Sequence, residues 1–372
     1  MPLVNNLLDD PAQSCGDWPL KVVFCRGCSL AQLTQTPPPE AMFSEYLYFS
    51  SQSQTMVAHA GMLVDRYVKP GQKVVEIASN DGYLLRQAQQ RGAQVLGIDP
   101  AQNIAGFANA AGVPTRCEYF NADLAKRMVS DWGTADVIFA NNVLAHVPDP
   151  NEIARGIKLL LSEKGVAHIE LPYLIRMIQA CAFDTIYHEH HCYFSFSALR
   201  SLLERHELKI SDVEVMEIHG GSLHVQVSHH RGSSAPDRLC EVERDMGIFD
   251  DAFYGDFAKR VRELKTDLDE AMGMFRTVVG YGAAAKGVVL LNTFGLDRQA
   301  IPWVADVSPH KQGKFIPGTR QAVVAPSELE RAKPQAALLL PWNIKDEVVR
   351  RNQGFLNQGG RFIVPIPEVV II

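Results

Sequence analysis

Apolar and polar positions along this chain switch repeatedly between a period near 3.6 and continuous β-rich runs. From Ser53 to Tyr67 the apolar residues recur at helical spacing, and Pro70-Gly71 stops that helix. VVEIASND follows, a β-rich run that breaks into a loop at Asp81-Gly82 before the helical stretch YLLRQAQQRG. QVLGIDP predicts a second strand and DVIFANNVL another. The turn PDPN then leads into the helix NEIARGIKLLL, and GVAHIELP predicts a further strand. Buried strand alternating with amphipathic helix predicts an α/β fold with a parallel, doubly wound, Rossmann-like sheet. Residues 214–228 predict a hairpin turning at Gly220-Gly221, and residues 237–276 a charged helical connecting arm. VVGYGAAAKG reads as strand, Gly-rich turn and helix, opening a second α/β unit that closes on the strand RFIVPIP. Near the start, residues 18–35 predict two short strands around a C-x-x-C turn.

This pattern divides the chain into a small module at 1–52, a central domain at 53–235, and an arm with a C-terminal α/β domain at 236–372. Composition agrees with folded domains: of 372 residues, 47% are hydrophobic and 21% charged. The net charge of -6 comes without a dense basic run, which argues against nucleic acid as a partner. No apolar stretch approaches the roughly 20 residues of a membrane span. The start MPLVNNLLDDPAQS lacks the basic head and apolar core of a signal peptide. The expectation is a cytoplasmic protein acting on a small molecule. Its seven cysteines, an odd and scattered set, suit reduced thiols.

Chemistry concentrates in three places. The first is the loop after VVEI. Glu76 ends a strand, Ala78, Asn80 and Gly82 lie in the turn, and Asp99 ends the next strand. Gly82 allows close backbone approach, and an acid at Asp99 can accept both hydroxyls of a ribose. The fingerprint G-x-G-x-x-G is absent. An acid, a loop and a second acid resemble instead the class I methyltransferase pattern, which implies S-adenosylmethionine. Phe120 follows the third strand and either packs on an adenine or belongs to the core. Asn141 and Asn142 end the fourth strand, where cofactor and acceptor would meet. The second place is VVGYGAAAKG. There Gly282 and Lys286 either contact a pyrophosphate or form a tight turn. A dinucleotide reading of this loop needs an acid closing the following strand; VVLLN ends in Asn292 and supplies none. Beside Gly220-Gly221, Ser222 or His224 reaches toward an acceptor if the turn is more than a hairpin.

The third place is IYHEHHCYFS at 186–195. With EYLYFSSQS, VVEIASNDGYLL, NNVLAHVPD, HGGSLHVQV, VVGYGAAAKG and LLLPWN, it occurs in an order that resembles the C-methyltransferases of deoxysugar biosynthesis, which act on nucleotide-linked 4-keto-hexoses. The resemblance covers nearly the whole chain. It implies an N-terminal zinc-binding module, a central methyltransferase domain and a C-terminal domain that helps to hold the sugar nucleotide. It also implies a mechanism: a base removes the proton beside the keto group, and the enolate carbon attacks the sulfonium methyl. Matched by position, the base falls on His190, with Tyr187 and Glu189 in the same motif and His146 and Tyr48 completing the set. Tyr46 is the alternative tyrosine.

Two readings compete with this one. On a regular strand His188 and His190 would share a face, a start for a metal site. The scaffold could also methylate a non-sugar carbon acid or an oxygen. Cys25 and Cys28 form half a zinc ribbon. The second cysteine pair that the resemblance implies would precede PLVNN, residues 2–6, and Cys15 is the only other cysteine nearby.

Overall fold

The computed structural model describes residues 1–38, 49–230 and 232–372. The N-terminal hairpin forms as expected from β1 (Val22–Phe24) and β2 (Ala31–Leu33). Its turn is closed by the Ser29 N–H, which donates to the Cys25 carbonyl at 2.7 Å.

The helix Gln54–Tyr67 starts where the Ser53 hydroxyl accepts from the Met56 N–H, an N-cap for an otherwise unpaired donor. Five parallel strands follow: β3 (Lys73–Ile77), β4 (Gln94–Ile98), β5 (Thr115–Arg116), β6 (Ala135–Asn141) and β7 (Leu161–Pro172). β8 (Cys192–Tyr193) leaves them to pair with β2. β9 (Lys209–Met216) and β10 (Ser222–Ser228) are the expected hairpin, with β10 between β7 and β9 and antiparallel to both. The sheet order is β5-β4-β3-β6-β7-β10-β9. Order reverses at β3, so the crevice beyond its carboxyl end is the natural ligand position.

Apolar side chains cover both faces of this sheet. One face packs on the helices Ala122–Asp131, Pro150–Leu160 and Phe196–Arg205. The other packs on Gln54–Tyr67 and Tyr83–Gln90. The arm consists of two helices, Ala235–Asp245 and Asp251–Gly273. Its buried Glu243 accepts from the Phe196 and Ser197 N–H groups at 2.6 and 2.7 Å and from the Tyr173 hydroxyl at 2.9 Å. That carboxylate meets the unpaired donors at the start of helix Phe196–Arg205 and ties the arm to the central sheet.

The C-terminal sheet contains β11 (Val278–Tyr281), β12 (Trp303–Ala305), β13 (Ala322–Val324), β14 (Ala336–Leu339), β15 (Arg361–Val364) and β16 (Val370–Ile371). Its order is β13-β12-β11-β14-β15-β16, parallel except for β16. One expectation fails here. VVLLN is not a strand but part of the helix Ala285–Phe294, buried from Gly287 to Leu291. A short apolar run does not distinguish a buried helix from a buried strand. The strand that follows is β12, and an acid does close it: Asp306. Among the described residues no helix is long and apolar enough to cross a membrane.

Candidate active site

At the carboxyl end of β3 the backbone turns through left-handed conformations at Ala78, Asn80 and Gly82, with φ of 57°, 47° and 75°. Gly82 is required twice over, because an added Cβ would also lie 3.0 Å from Val113. Asp99 holds this turn, accepting from the Asn80 N–H at 3.0 Å and from the Ala101 N–H at 2.9 Å. The short turn Ser50–Gln52 lies on the same loop. Ser50 N–H donates to Asn80 Oδ1 at 2.9 Å, and Ser51 N–H to Asp81 Oδ2 at 3.3 Å. Burial, with Asp99 and Asp81 nearby, pushes the Glu76 carboxyl well above the usual carboxylate range.

Several buried polar atoms around this loop have no partner among the described residues: Glu76 Oε2, Ser79 Oγ, Asp81 Oδ1, Asn141 Oδ1 and Asn142 Oδ1. All five can accept a hydrogen bond. Unmet acceptors at a crevice fit a donor-rich ligand, and ribose hydroxyls and an ammonium are such donors. The residues present therefore fit S-adenosylmethionine. Asn142 is itself left-handed, with φ 54°, and its N–H donates to the Glu170 carbonyl at 2.7 Å. Phe120 is buried in the core cluster on one face of the sheet. A Cβ at Gly156, on helix Pro150–Leu160, would come 2.6 Å from its ring.

The segment 186–195 folds back toward this crevice. It is not a regular strand: Phe183–Thr185 is a helical turn, and the His190 N–H donates to the Tyr187 carbonyl at 2.9 Å. Strand geometry is confined to Cys192–Tyr193. His190 is brought against two other predicted residues, with ring centroids 4.8 Å from His146 and 4.2 Å from Tyr187. His190 Nδ1 lies 2.7 Å from the Thr185 carbonyl oxygen. A carbonyl only accepts, so Nδ1 carries the proton and Nε2 keeps its lone pair. Burial, with His146 and Lys286 nearby, lowers the His190 pKa to about 3. Burial likewise lowers that of His146 to about 4, partly offset by the Glu189 backbone carbonyl. Both rings are neutral at pH 7. Glu189 accepts from Asn5 Nδ2 at 2.6 Å, and burial raises its carboxyl. Tyr46 and Tyr48 lie outside the described residues.

The C-terminal domain reaches the same place. The Lys286 ammonium sits 4.6 Å from the centre of the Trp342 ring. Trp342 Nε1 donates to the buried Asp184 Oδ2 at 2.7 Å. Burial raises the Asp184 pKa to about 6, opposed by the Lys286 charge. Gly282 and Ser222 are closely packed, and the Gly282 N–H donates to the Ala305 carbonyl at 2.6 Å. A Cβ at Gly282 would overlap the Pro341 ring at 2.4 Å, and the buried Ser222 hydroxyl donates to the Ile218 carbonyl at 3.2 Å.

Three polar residues near the crevice were not singled out from sequence. Asp184 is one. Glu170 and His59 are the others: Glu170 is fully buried, with Oε2 2.6 Å from His59 Nε2 and Oε1 unpartnered. The available signal was an acid inside the apolar run of β7. Register pairs Glu170 with Asn141, which puts it beside the cofactor crevice.

The metal readings find no support in this geometry. His188 Nε2 faces the Pro19 carbonyl at 3.2 Å, while His190 Nδ1 faces Thr185. Among the described residues no group of three or more His, Cys, Asp or Glu side chains could hold a metal ion. Cys25 and Cys28 are adjacent, and backbone N–H groups of Cys28 and Gly27 lower the Cys25 thiol pKa. Cys15 is drawn elsewhere, 3.5 Å from an Arg320 nitrogen. Two thiols do not complete a tetrahedral zinc site.

Comparison with known proteins identifies the architecture. Residues 53–213 match a family described as a methyltransferase domain, and residues 217–367 match the C-methyltransferase C-terminal domain. The whole chain aligns with C-methyltransferase NovU of Streptomyces niveus at 37% identity over 386 residues, covering 92% of that protein. A ubiquinone biosynthesis O-methyltransferase of Bordetella avium is 29% identical over 97 residues, 26% of this chain and 40% of that one. A solved complex of the Haloferax volcanii Trm112 methyltransferase activator and a methyltransferase covers 46% of this chain and 88% of its own, with 16% identity and a TM-score of 0.38. With full-length similarity to a C-methyltransferase and both domain families in order, this chain belongs to the S-adenosylmethionine-dependent C-methyltransferases.

Proposed function

We propose that this enzyme methylates a carbon beside the keto group of a nucleotide-linked deoxysugar, through an enolate. The observation that carries the reading is the locked tautomer of His190. Its Nδ1–H is spent on the Thr185 carbonyl, and its neutral ring offers Nε2 as a base. Bound S-adenosylmethionine supplies an electrophilic methyl group. Glu76, Asn80, Gly82 and Asp99 are the residues proposed to hold it, with Ala78 shaping the turn and Asn141 and Asn142 offering their Oδ1 atoms at the end of β6. His190 accepts the proton from the acidic C–H. Tyr187 and His146, packed on that ring, limit water and present polar atoms to the acceptor oxygen; Tyr48 is proposed to join them. Glu189 holds the loop through Asn5 and fixes His146 through its carbonyl.

The low proton affinity of His190 in the free enzyme is consistent with this role. A base that is neutral at pH 7 is ready to react, and negative charge developing on the acceptor raises its affinity at the moment of transfer. Incubation with methyl-labelled S-adenosylmethionine and a panel of dTDP-4-keto-deoxysugars tests the proposal. Stable carbon-bound label is expected. Transfer only to oxygen or nitrogen would overturn it.

A further inference from the structure

We propose that Lys286, from the C-terminal domain, is a catalytic residue that stabilises the enolate oxygen, rather than a pyrophosphate contact. This deepens the enolate reading above and rests on it.

The first support is position. Lys286 stands at the start of helix Ala285–Phe294, but its side chain is turned back over Trp342, 4.6 Å from the ring centre. Trp342 is tied to Asp184 by a 2.7 Å hydrogen bond. The next residue, Thr185, supplies the carbonyl that orients His190. One short turn, Phe183–Thr185, therefore fixes both the base and the tryptophan under the ammonium. The two are close enough for the Lys286 charge to act on His190.

The second support is an unmet bonding capacity. Lys286 makes no hydrogen bond to any described residue, although its ammonium has three donors to give. Asp184 acts on it through space and not through a hydrogen bond: its Oδ2 accepts from Trp342 Nε1, and its Oδ1 has no partner among the described residues. A desolvated ammonium held on an aromatic face and left without an acceptor is arranged to receive one.

The third support is charge. Removing a proton beside a ketone leaves a full negative charge on oxygen, and a cation aimed at it contributes most where water is excluded. His146 and His190 are neutral at pH 7. Lys286 is the cation whose field reaches His190. The step balances within these groups. His190 Nε2 takes the proton, the C–H pair becomes the enolate with its oxygen on Lys286, and the enolate carbon then displaces the thioether from the methyl while the ketone re-forms.

The test uses the full chain with Lys286→Met and Lys286→Ala. Solvent deuterium exchange beside the keto group is measured by mass spectrometry with S-adenosylhomocysteine bound, using a dTDP-4-keto-deoxysugar. Binding of dTDP and of S-adenosylhomocysteine is measured by calorimetry. Exchange is expected to fall by about 10²–10³-fold, as for other lost oxyanion donors. The dissociation constants for both ligands should stay within about threefold, because binding of these two does not use the enolate oxygen. Added ethylammonium should partly restore exchange to Lys286→Ala, a rescue that a merely structural role would not give. Unchanged exchange in both variants overturns the assignment while leaving the enolate reading intact. A parallel loss of dTDP binding and turnover returns Lys286 to the pyrophosphate and also overturns it. Wild-type enzyme that exchanges no proton in any ketosugar of the panel counts against the enolate reading and this inference together.

Discussion

β3 and β11 each lead through a glycine-containing turn into a helix, and in each case the acid after the neighbouring strand reaches back to clamp the turn. Asp99 accepts from Asn80 and Ala101; Asp306 accepts from Ala283 at 2.7 Å and Ser308 at 2.8 Å. The frame is the same, but the surroundings differ. The first turn carries Ser79, Asn80 and Asp81, and Ser79 Oγ and Asp81 Oδ1 have no partner among the described residues. The second is lined by alanines. Its glycine is filled by Pro341, and the Ala283 carbonyl is taken by Lys311 Nζ at 2.8 Å. The shared backbone plan therefore comes with different chemistry: side chains left unsatisfied fit the first turn to the proposed cofactor, and close apolar packing surrounds the second.

The largest expected separation between the two turns is in cofactor binding. Asp99→Ala removes both the clamp and the proposed ribose acceptor. It should weaken S-adenosylhomocysteine binding by about 100-fold, or about 2.7 kcal/mol. Asp306→Ala should leave that constant within about threefold and instead lower the unfolding free energy measured in urea, by about 1.5–3 kcal/mol for lost charge-assisted bonds. Equal effects on binding in calorimetry would break the comparison.

Next come the glycines, which should differ in stability. Gly282→Ala drives a Cβ into the Pro341 ring, at 2.4 Å, with φ at 89°. Gly82→Ala meets Val113 at 3.0 Å, with φ at 75°. Urea denaturation should show a cost of about 3 kcal/mol for the first and about 1–2 kcal/mol for the second. Gly82→Ala should in addition weaken S-adenosylhomocysteine, whereas Gly282→Ala should not.

The smallest effect concerns the strands behind the turns. β14 buries only Ala336–Leu339, apolar throughout, whereas β7 and β10 bury His168, Glu170 and His224. The His168 ring lies tilted against Tyr67 with centroids 4.0 Å apart, and its Nδ1 has no partner among the described residues. Burial lowers its pKa to about 3. The unfolded chain takes up this proton near pH 6.5 and the folded chain does not, so the stability from neutral His168 is lost as pH falls from about 6.5 toward 3. The slope is at most about 1.4 kcal/mol per pH unit. His168→Gln should flatten the pH dependence of the urea midpoint between pH 6.5 and 5.5. An unchanged slope would show that His168 is already protonated in the fold.

These contrasts also show what was legible in the sequence. Strong local patterns were readable: the central strands, the helix over Ser53 to Tyr67, the hairpin at Gly220-Gly221, and an acid–loop–acid succession over Glu76 to Asp99. VVLLN misled because an all-apolar run has no period, and with it the acid at Asp306 was missed. The link from Asp184 to Trp342 joins residues 158 positions apart, and no local pattern announces such a contact. Lys286 was readable as a cation near a Gly-rich turn, but its turn toward His190 depends on how two domains meet. Glu170 and His59 were hidden because their pairing, 111 positions apart within the central domain, is made by a helix folding over the sheet.

The central claim, that His190 is the base, is tested most directly by His190→Ala. The account predicts unchanged S-adenosylhomocysteine binding and a loss of carbon methylation of about 10²–10⁴-fold, the range for a lost general base. A His190→Ala enzyme that binds the cofactor product and methylates carbon at the wild-type rate would contradict it.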